Sequence, residues 1–157
     1  MTNHIKKVVV LGGGTAGWMS AALLKKLLGS AIDIELVESE AIGTVGVGEA
    51  TIPPIKLFNQ VLGINEAEFL KETKATIKLA IKFENWKTQG HSYYHTFGAA
   101  GKSLAFCQFH HLLQKTGNIQ DLWQYDLNYL CAEQGKFAQI NTKDPIIELP
   151  HAYHFDA

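Results

Sequence analysis

The chain of 157 residues is 46% hydrophobic and 18% charged, a composition that is typical of a globular protein and excludes a disordered one. Its formal net charge of −1 at pH 7 indicates neither a nucleic acid nor an anionic membrane as a partner. The apolar run at residues 8–11 is far too short for the core of a signal peptide or for a membrane span.

The first elements along the chain are a strand, a glycine-rich turn, a helix and a second strand. Residues 6–11 are rich in β-branched side chains, residues 15–28 favour a helix that ends at Gly29, and residues 32–38 alternate as a strand does. This order predicts a βαβ unit. The fold class is therefore predicted to be α/β, with a Rossmann-like parallel sheet.

The turn between the first strand and the helix has the spacing G-x-G-x-x-G, at Gly12, Gly14 and Gly17. Such a turn needs its first glycine for a tight bend, its second for the approach of a pyrophosphate and its third for close packing of helix on strand. The N–H groups of Thr15 and Ala16, at the start of the helix, are expected to face the phosphates. The spacing predicts a dinucleotide site.

An acidic residue follows at the distance that a ribose-binding carboxylate requires. Glu38 ends the second strand, 21 residues beyond Gly17. The chain contains no arginine to receive a 2′-phosphate, so NADP is disfavoured, whereas FAD and NAD both stay open at this point. A glycine turn without a ligand is the alternative, and glycines in such numbers cost about 0.5–1 kcal/mol each where they interrupt an element.

The rest of the chain predicts shorter elements. Asn65, with Glu68 three residues later, marks the N-cap of the second of two short helices that follow the turn-rich residues 43–54. The later pattern favours strands at residues 77–84 and 93–97, helices at residues 104–115 and 121–134, and an extended tail at residues 145–157. On the first of these strands Lys78 shares a face with Lys82 and Glu84, which is typical of a solvated surface.

Two cysteines, Cys107 and Cys131, have neither the spacing of a metal site nor that of a secreted disulfide framework. Both fall in apolar helical patterns, so we expect buried free thiols in a reducing cytoplasm.

Among the seven histidines, His110 and His111 are adjacent on a helix and point about 100° apart, which hinders joint coordination of one ion. The sequence predicts no metal site.

No repeat, linker or internal domain boundary can be placed with the sequence alone, and the predicted strands are too few for a complete dinucleotide-binding sheet. We therefore expect residues 1–157 to be a portion of a larger protein that does not catalyse by itself.

Four segments together carry a resemblance to a known family: residues 12–18, 46–53, 77–86 and 153–157. Their sequences, GGGTAGW, GVGEATIP, IKLAIKFENW and YHFDA, resemble the first part of the flavin-dependent tryptophan halogenases. The resemblance spans essentially the whole chain and about a third of a typical member. It implies an N-terminal FAD-binding portion, with helices that begin a substrate-side module.

The resemblance implies FAD rather than NAD, reduced to FADH2 by a separate flavin reductase. In the family the reduced flavin reacts with molecular oxygen to give a flavin hydroperoxide, halide attacks it, and the resulting hypohalous acid reaches a lysine that Lys78 matches. That lysine either hydrogen-bonds the oxidant or forms a haloamine, and an electron-rich aromatic is chlorinated or brominated. The family's strap loop, between the flavin and substrate sites, corresponds here to residues 46–52, and cofactor contacts are expected at Gly46, Val47, Glu49 and Ala50.

The resemblance also implies substrate contacts at His110 or His111, because the family places a histidine and aromatic residues from this region over the indole. The stretch FCQFHH departs from the tryptophan-specific pattern, so the substrate can equally be free indole or another electron-rich aromatic instead of tryptophan.

Two rival functions stay open: an FAD-dependent aromatic monooxygenase, and a flavin-binding module without turnover. A downstream W-x-W-x-I-P motif would favour the halogenase. The oligomeric state, a homodimer included, is open.

Overall fold

The computed structural model describes residues 4–43, 48–101, 103–117, 119–140 and 147–155. The chain divides into two compact units. The first comprises Met1–Ala50, Pro54–Thr76 and His154–Ala157, and the second comprises Thr51–Pro53 and Ile77–Tyr153. Among the described residues, the strands form three sheets, of order β1-β2 (Lys7–Leu11, Asp33–Val37), β3-β7-β4 (Glu49–Ala50, Ala152–Phe155, Thr76–Lys78) and β5-β6 (Ala80–Glu84, Ser92–Thr96).

The predicted βαβ unit opens the first unit. Strand β1 (Lys7–Leu11) pairs in parallel with β2 (Asp33–Val37), so that Lys7 lies opposite Asp33, and helix α1 (Thr15–Leu28) connects them. Gly29 ends the helix with φ 57°, and its N–H donates to the Lys25 oxygen at 3.0 Å. The predicted α/β class, the helix and its glycine stop are confirmed.

The first unit continues with two short helices and a strand pair. Helix α2 spans Pro54–Leu62 and α3 spans Glu66–Glu72. Asn65 caps α3 as predicted, since its Oδ1 accepts the N–H groups of Ala67 at 2.9 Å and Glu68 at 3.2 Å. Strand β3 (Glu49–Ala50) pairs antiparallel with the end of β7 (Ala152–Phe155).

The strand predicted at residues 77–84 is in fact two strands. Strand β4 spans Thr76–Lys78 and β5 spans Ala80–Glu84, and the two belong to different sheets. The break falls at Leu79, whose carbonyl accepts hydrogen bonds from the N–H of Phe97 at 3.1 Å and from Nδ2 of Asn128 at 3.0 Å. The Phe97 bond extends the antiparallel ladder that pairs Ala80 with Thr96, and the Asn128 bond is made by a side chain outside both strands.

Strand β5 forms an antiparallel hairpin with β6 (Ser92–Thr96), one residue earlier than the predicted strand at residues 93–97. Helix α4 spans Leu104–Gln114, which agrees with the prediction. The helix predicted at residues 121–134 divides into a 3₁₀ turn, Leu122–Tyr125, and helix α5, Leu127–Glu133.

Asp126 causes that division. Its backbone is extended (φ −112°, ψ 111°), and its side chain caps α5 by accepting the N–H of Tyr129 at 3.0 Å. The same carboxylate, 1% exposed, accepts the hydroxyl of Thr96 at 2.6 Å. An aspartate in this position stabilises a helix start more than a continuous helix, so one apolar pattern yields two helical segments.

Cys107 and Cys131 are free thiols, and both are half-buried instead of fully buried as expected. In the part of the chain that the structure describes, each helix is too short or too polar to span a bilayer.

We expect Asp126→Ala to lower the free energy of unfolding by about 2–3 kcal/mol, because it removes a helix cap and leaves the half-buried hydroxyl of Thr96 without its acceptor. Asp121→Ala is the matched control. Asp121 caps the 3₁₀ turn at an exposed position, where it accepts the N–H of Trp123, and its loss should cost about 1 kcal/mol or less. Urea denaturation measures both, and equal losses would contradict the proposed role of the buried carboxylate.

Candidate functional site

The glycine turn of the first unit borders a cleft of about 530 Å³. Gly12 follows β1 with φ 120°, a value that side chains disfavour, and its N–H donates to the Val37 oxygen at 2.8 Å. Gly14 is the N-cap of α1 and carries no side chain that could cap it. The cleft is lined by Leu11, Gly12, Gly13, Gly14, Val37, Glu38, Ser39, Ile42 and Gly43.

Close contacts, one with backbone and one with a side chain, explain two of the glycines. A Cβ atom at Gly17 would lie 1.9 Å from the carbonyl oxygen of Gly12, and one at Gly13 would lie 1.8 Å from Oε2 of Glu38. At Gly14 a Cβ atom would meet nothing within 4 Å, so this position faces open space. The helix start is thus packed tightly on one side and accessible on the other, as binding of a phosphate requires.

Glu38 lies at this cleft, directly after β2. Its Oε2 accepts a hydrogen bond from Nε1 of Trp18 on α1 at 3.4 Å, so the carboxylate sits over the turn. The acid, the glycine turn and the first N–H groups of α1, at Thr15 and Ala16, are the types of group that hold the ribose and diphosphate of a dinucleotide, and their binding role stays a prediction.

Part of the predicted strap segment reaches the same helix. Glu49 begins β3, and its Oε1 accepts the hydroxyl of Thr15, in the first turn of α1, at 3.3 Å. Ala50 pairs with His154 in the β3–β7 ladder. Gly46 and Val47, for which cofactor contacts are predicted, lie outside the described residues.

Lys78 belongs to the second unit, at the end of β4. Its half-buried ammonium donates to the carbonyl oxygen of Thr51 at 3.0 Å, and Nζ lies 5.6 Å from the centre of the Phe97 ring. Burial lowers the pKa of Lys78 below its ordinary value, because desolvation disfavours the charged form.

The acceptor of this hydrogen bond is itself held firmly. The main-chain carbonyl oxygen of Tyr153 accepts two hydrogen bonds from Thr51, one from its N–H at 3.0 Å and one from its hydroxyl at 2.8 Å. The same hydroxyl accepts the N–H of Tyr153 at 3.0 Å. Tyr153 is 1% exposed. The ammonium of Lys78 therefore has a rigid partner.

Lys82 has the solvated surroundings that the strand pattern predicted. Its Nζ is exposed, pairs with Glu84 at 3.2 Å and lies 5.6 Å from the centre of the Tyr94 ring. The hydrogen bond to Glu84 raises the pKa of Lys82 above its ordinary value. Two lysines on one predicted strand thus have pKa values shifted in opposite directions.

The predicted substrate contacts His110 and His111 lie on α4. His110 is 1% exposed, and its Nε2 hydrogen-bonds with the main-chain carbonyl oxygen of Gln120 at 2.7 Å. Its ring packs against that of Tyr125 with ring centres 5.4 Å apart. His111 is exposed. A substrate contact at His110 would require this buried ring to leave its partners, and for both residues the role stays a prediction.

Sequence reasoning missed Phe97 as a neighbour of Lys78. The signal lay in the hairpin register: Ala80 is paired with Thr96, so the residues just before β5 come beside those just after β6. Treating residues 93–97 only as a strand concealed this proximity. Among the described residues, no group of three or more His, Cys, Asp or Glu side chains is arranged to hold a metal ion.

Comparison with known proteins yields one family. The family model for tryptophan halogenase matches residues 7–157. Tryptophan 7-halogenase RebH of Lentzea aerocolonigenes is 34% identical over an alignment of 175 positions that covers all of this chain and 33% of RebH. Tryptophan 6-halogenase SttH of Streptomyces toxytricini is 50% identical over 96 residues, 61% of this chain and 18% of SttH.

Solved structures agree. Xcc4156, a flavin-dependent halogenase from Xanthomonas campestris, superposes with a TM-score of 0.87 at 44% identity, over 98% of this chain and 31% of that protein. BrvH, a flavin-dependent halogenase from Brevundimonas sp. BAL3, gives a TM-score of 0.83 at 34% identity, over the same shares. The chain spans about a third of the length of these relatives or less. It belongs to the tryptophan halogenase family.

Proposed function

We propose that residues 1–157 form the N-terminal FAD-binding portion of an enzyme that halogenates an electron-rich aromatic of the tryptophan or indole type. The observation that carries the proposal is the environment of Lys78: an ammonium of lowered pKa, held on the Thr51 oxygen beside the Phe97 ring. Family membership and the names of the relatives support the reaction class.

FAD fits the first unit. The cleft at the glycine turn has room for the adenosine diphosphate part, and Glu38 offers a carboxylate to ribose hydroxyls. Reduced FAD, supplied by a separate flavin reductase, would provide the electrons with which molecular oxygen and halide give hypohalous acid. The residues proposed to contact the cofactor are Gly12, Gly14, Thr15, Ala16, Gly17, Glu38, Gly46, Val47, Glu49 and Ala50.

Lys78 is proposed to orient the oxidant. Its ammonium would donate a hydrogen bond to the oxygen of hypohalous acid, so that this oxygen leaves as water when the aromatic carbon bonds to the halogen and the ring loses its proton. The lowered pKa also increases the fraction of neutral amine, which would take the halogen from hypohalous acid to form a haloamine, while the oxygen–halogen bond breaks and the hydroxyl leaves with an amine proton as water. The small aromatic substrate would lie beside Phe97 on either route.

We expect Glu38→Ala to raise the dissociation constant for FAD about tenfold or more, because a charged acceptor for ribose hydroxyls is lost. Glu40→Ala, an exposed acid two residues later, should change it less than about twofold. Fluorescence titration measures both. FMN lacks the adenosine, so its affinity should be the same in all variants, and an equal loss for FMN would contradict a ribose contact.

We expect the full-length protein, with a flavin reductase, NADH, FAD, bromide and indole or tryptophan, to give a product with the isotope pair of bromine. Lys78→Ala should lower product formation about 10²-fold or more, and Lys82→Ala less than about twofold. Mass spectrometry of the products decides. An oxygenated product without halogen would indicate the monooxygenase, and equal effects of both variants would refute the role of Lys78.

We expect Lys78 to react with an amine-labelling reagent with a lower pH midpoint than Lys82, because burial lowers the pKa of Lys78 and Glu84 raises that of Lys82. Only the neutral amine reacts, so the midpoint reports the pKa independently of how accessible each amine is. Peptide mass spectrometry after labelling at several pH values measures both. Equal midpoints would contradict the desolvated ammonium.

A further inference from the structure

Asn128 joins two backbone segments that are far apart in the sequence. It lies in α5 and is wholly buried. Its Nδ2 donates hydrogen bonds to the carbonyl oxygens of Leu79 at 3.0 Å and of Pro150 at 2.6 Å. Both hydrogens of one side-chain amide are thus used on main-chain acceptors.

Both of those segments lead to Lys78. Leu79 directly follows it and separates β4 from β5. Pro150 precedes the buried start of β7, where Tyr153 holds Thr51 by three hydrogen bonds. The main-chain carbonyl oxygen of Thr51 accepts a hydrogen bond from the Lys78 ammonium. A single amide therefore ties down the backbone that carries the lysine and the segment that holds its acceptor.

The oxygen end of the amide lies close to Gly98. A Cβ atom at Gly98 would lie 2.6 Å from Oδ1 of Asn128, and among the described residues this buried oxygen has no hydrogen-bond partner. Leaving a buried acceptor unpaired is unfavourable, whereas both donors are satisfied. We infer that the side chain of Asn128 is needed at this position for the two hydrogen bonds that it donates, and not for its oxygen.

We propose that Asn128 is a positioning residue, which acts through Leu79 and Pro150 to hold the Lys78 ammonium where it meets the oxidant. The inference rests on the proposed function for the reaction and on the geometry above for the positioning. Loss of an ordinary core residue would lower the amount of folded protein and leave the titration of Lys78 unchanged. Loss of a positioning residue is expected to change the titration of Lys78 in protein that still folds.

The variant that tests this is Asn128→Leu in the full-length protein, since leucine has a similar volume and donates no hydrogen bond. Asn59→Leu is the matched control. Asn59 is a buried asparagine of α2 in the first unit, and its Nδ2 has no partner among the described residues. Gly98→Ala is a milder second variant that crowds the amide oxygen without removing either donor.

The first readout does not depend on activity. Lysines are methylated with ¹³C-formaldehyde, the Lys78 signal is assigned with Lys78→Arg, and its titration is followed by NMR. Burial is what lowers the Lys78 pKa, so release of the ammonium should move the titration to higher pH. We expect this shift in Asn128→Leu, a smaller one in Gly98→Ala and none in Asn59→Leu.

The second readout is coupling, the fraction of oxidised flavin that ends as brominated indole. We expect Asn128→Leu to lower coupling about tenfold while the rate of flavin oxidation and the KM for indole change less than about twofold. Asn59→Leu should keep wild-type coupling.

The outcomes separate the two proposals. An unmoved Lys78 titration in folded Asn128→Leu overturns the positioning role, as does a parallel fall of coupling and flavin oxidation. If Asn128→Leu does not fold, Gly98→Ala decides by the same two readouts. If the wild type makes no halogenated product, the proposed function fails, and the NMR titration still decides whether Asn128 positions Lys78.

Discussion

The carbonyl oxygen of Leu79 is the point on which the surroundings of Lys78 depend. It accepts one hydrogen bond from the N–H of Phe97, which extends the β5–β6 ladder, and another from the side chain of Asn128. The register of that ladder places Phe97 beside Lys78, which directly precedes Leu79. Strands β4 and β5 belong to different sheets, and Lys78 contacts Thr51 and Phe97 while Lys82 pairs with Glu84.

The two candidate sites rely on different physics, and each is built within its own unit. At the glycine turn, close contacts leave no room for side chains at Gly13 and Gly17, and the main-chain N–H groups and the Glu38 carboxylate are available for polar contacts in the proposed cofactor site. At Lys78 the decisive property is desolvation, which lowers the pKa of an ammonium held on a carbonyl oxygen. Under the proposed function, backbone geometry would recognise the cofactor, and burial would adjust the reactivity of the Lys78 amine.

Sequence patterns predicted well the features whose causes are local. The bounds of α1, its stop at Gly29 and the cap at Asn65 all follow from residues within one or two helical turns, and the structure confirms them. Gly12, Gly14 and Glu38 line one cleft, while their contacts with a cofactor stay a prediction. The surroundings of Lys78 were less predictable: resemblance to a family singled it out, while its strand pattern alone matched an ordinary solvated face.

The sequence by itself determined the βαβ unit, the bounds of α1, the cap of α3 and the glycine-rich turn, because propensity, capping and glycine conformation act over a few residues. Only the tertiary structure decided that the strand at residues 77–84 breaks at Leu79, that the helix at residues 121–134 breaks at Asp126, and that His110 is held inside. It also decided that Lys78 and Lys82 differ in pKa. These outcomes depend on hydrogen bonds and burial between residues distant in the chain, which a pattern of neighbouring residues does not contain.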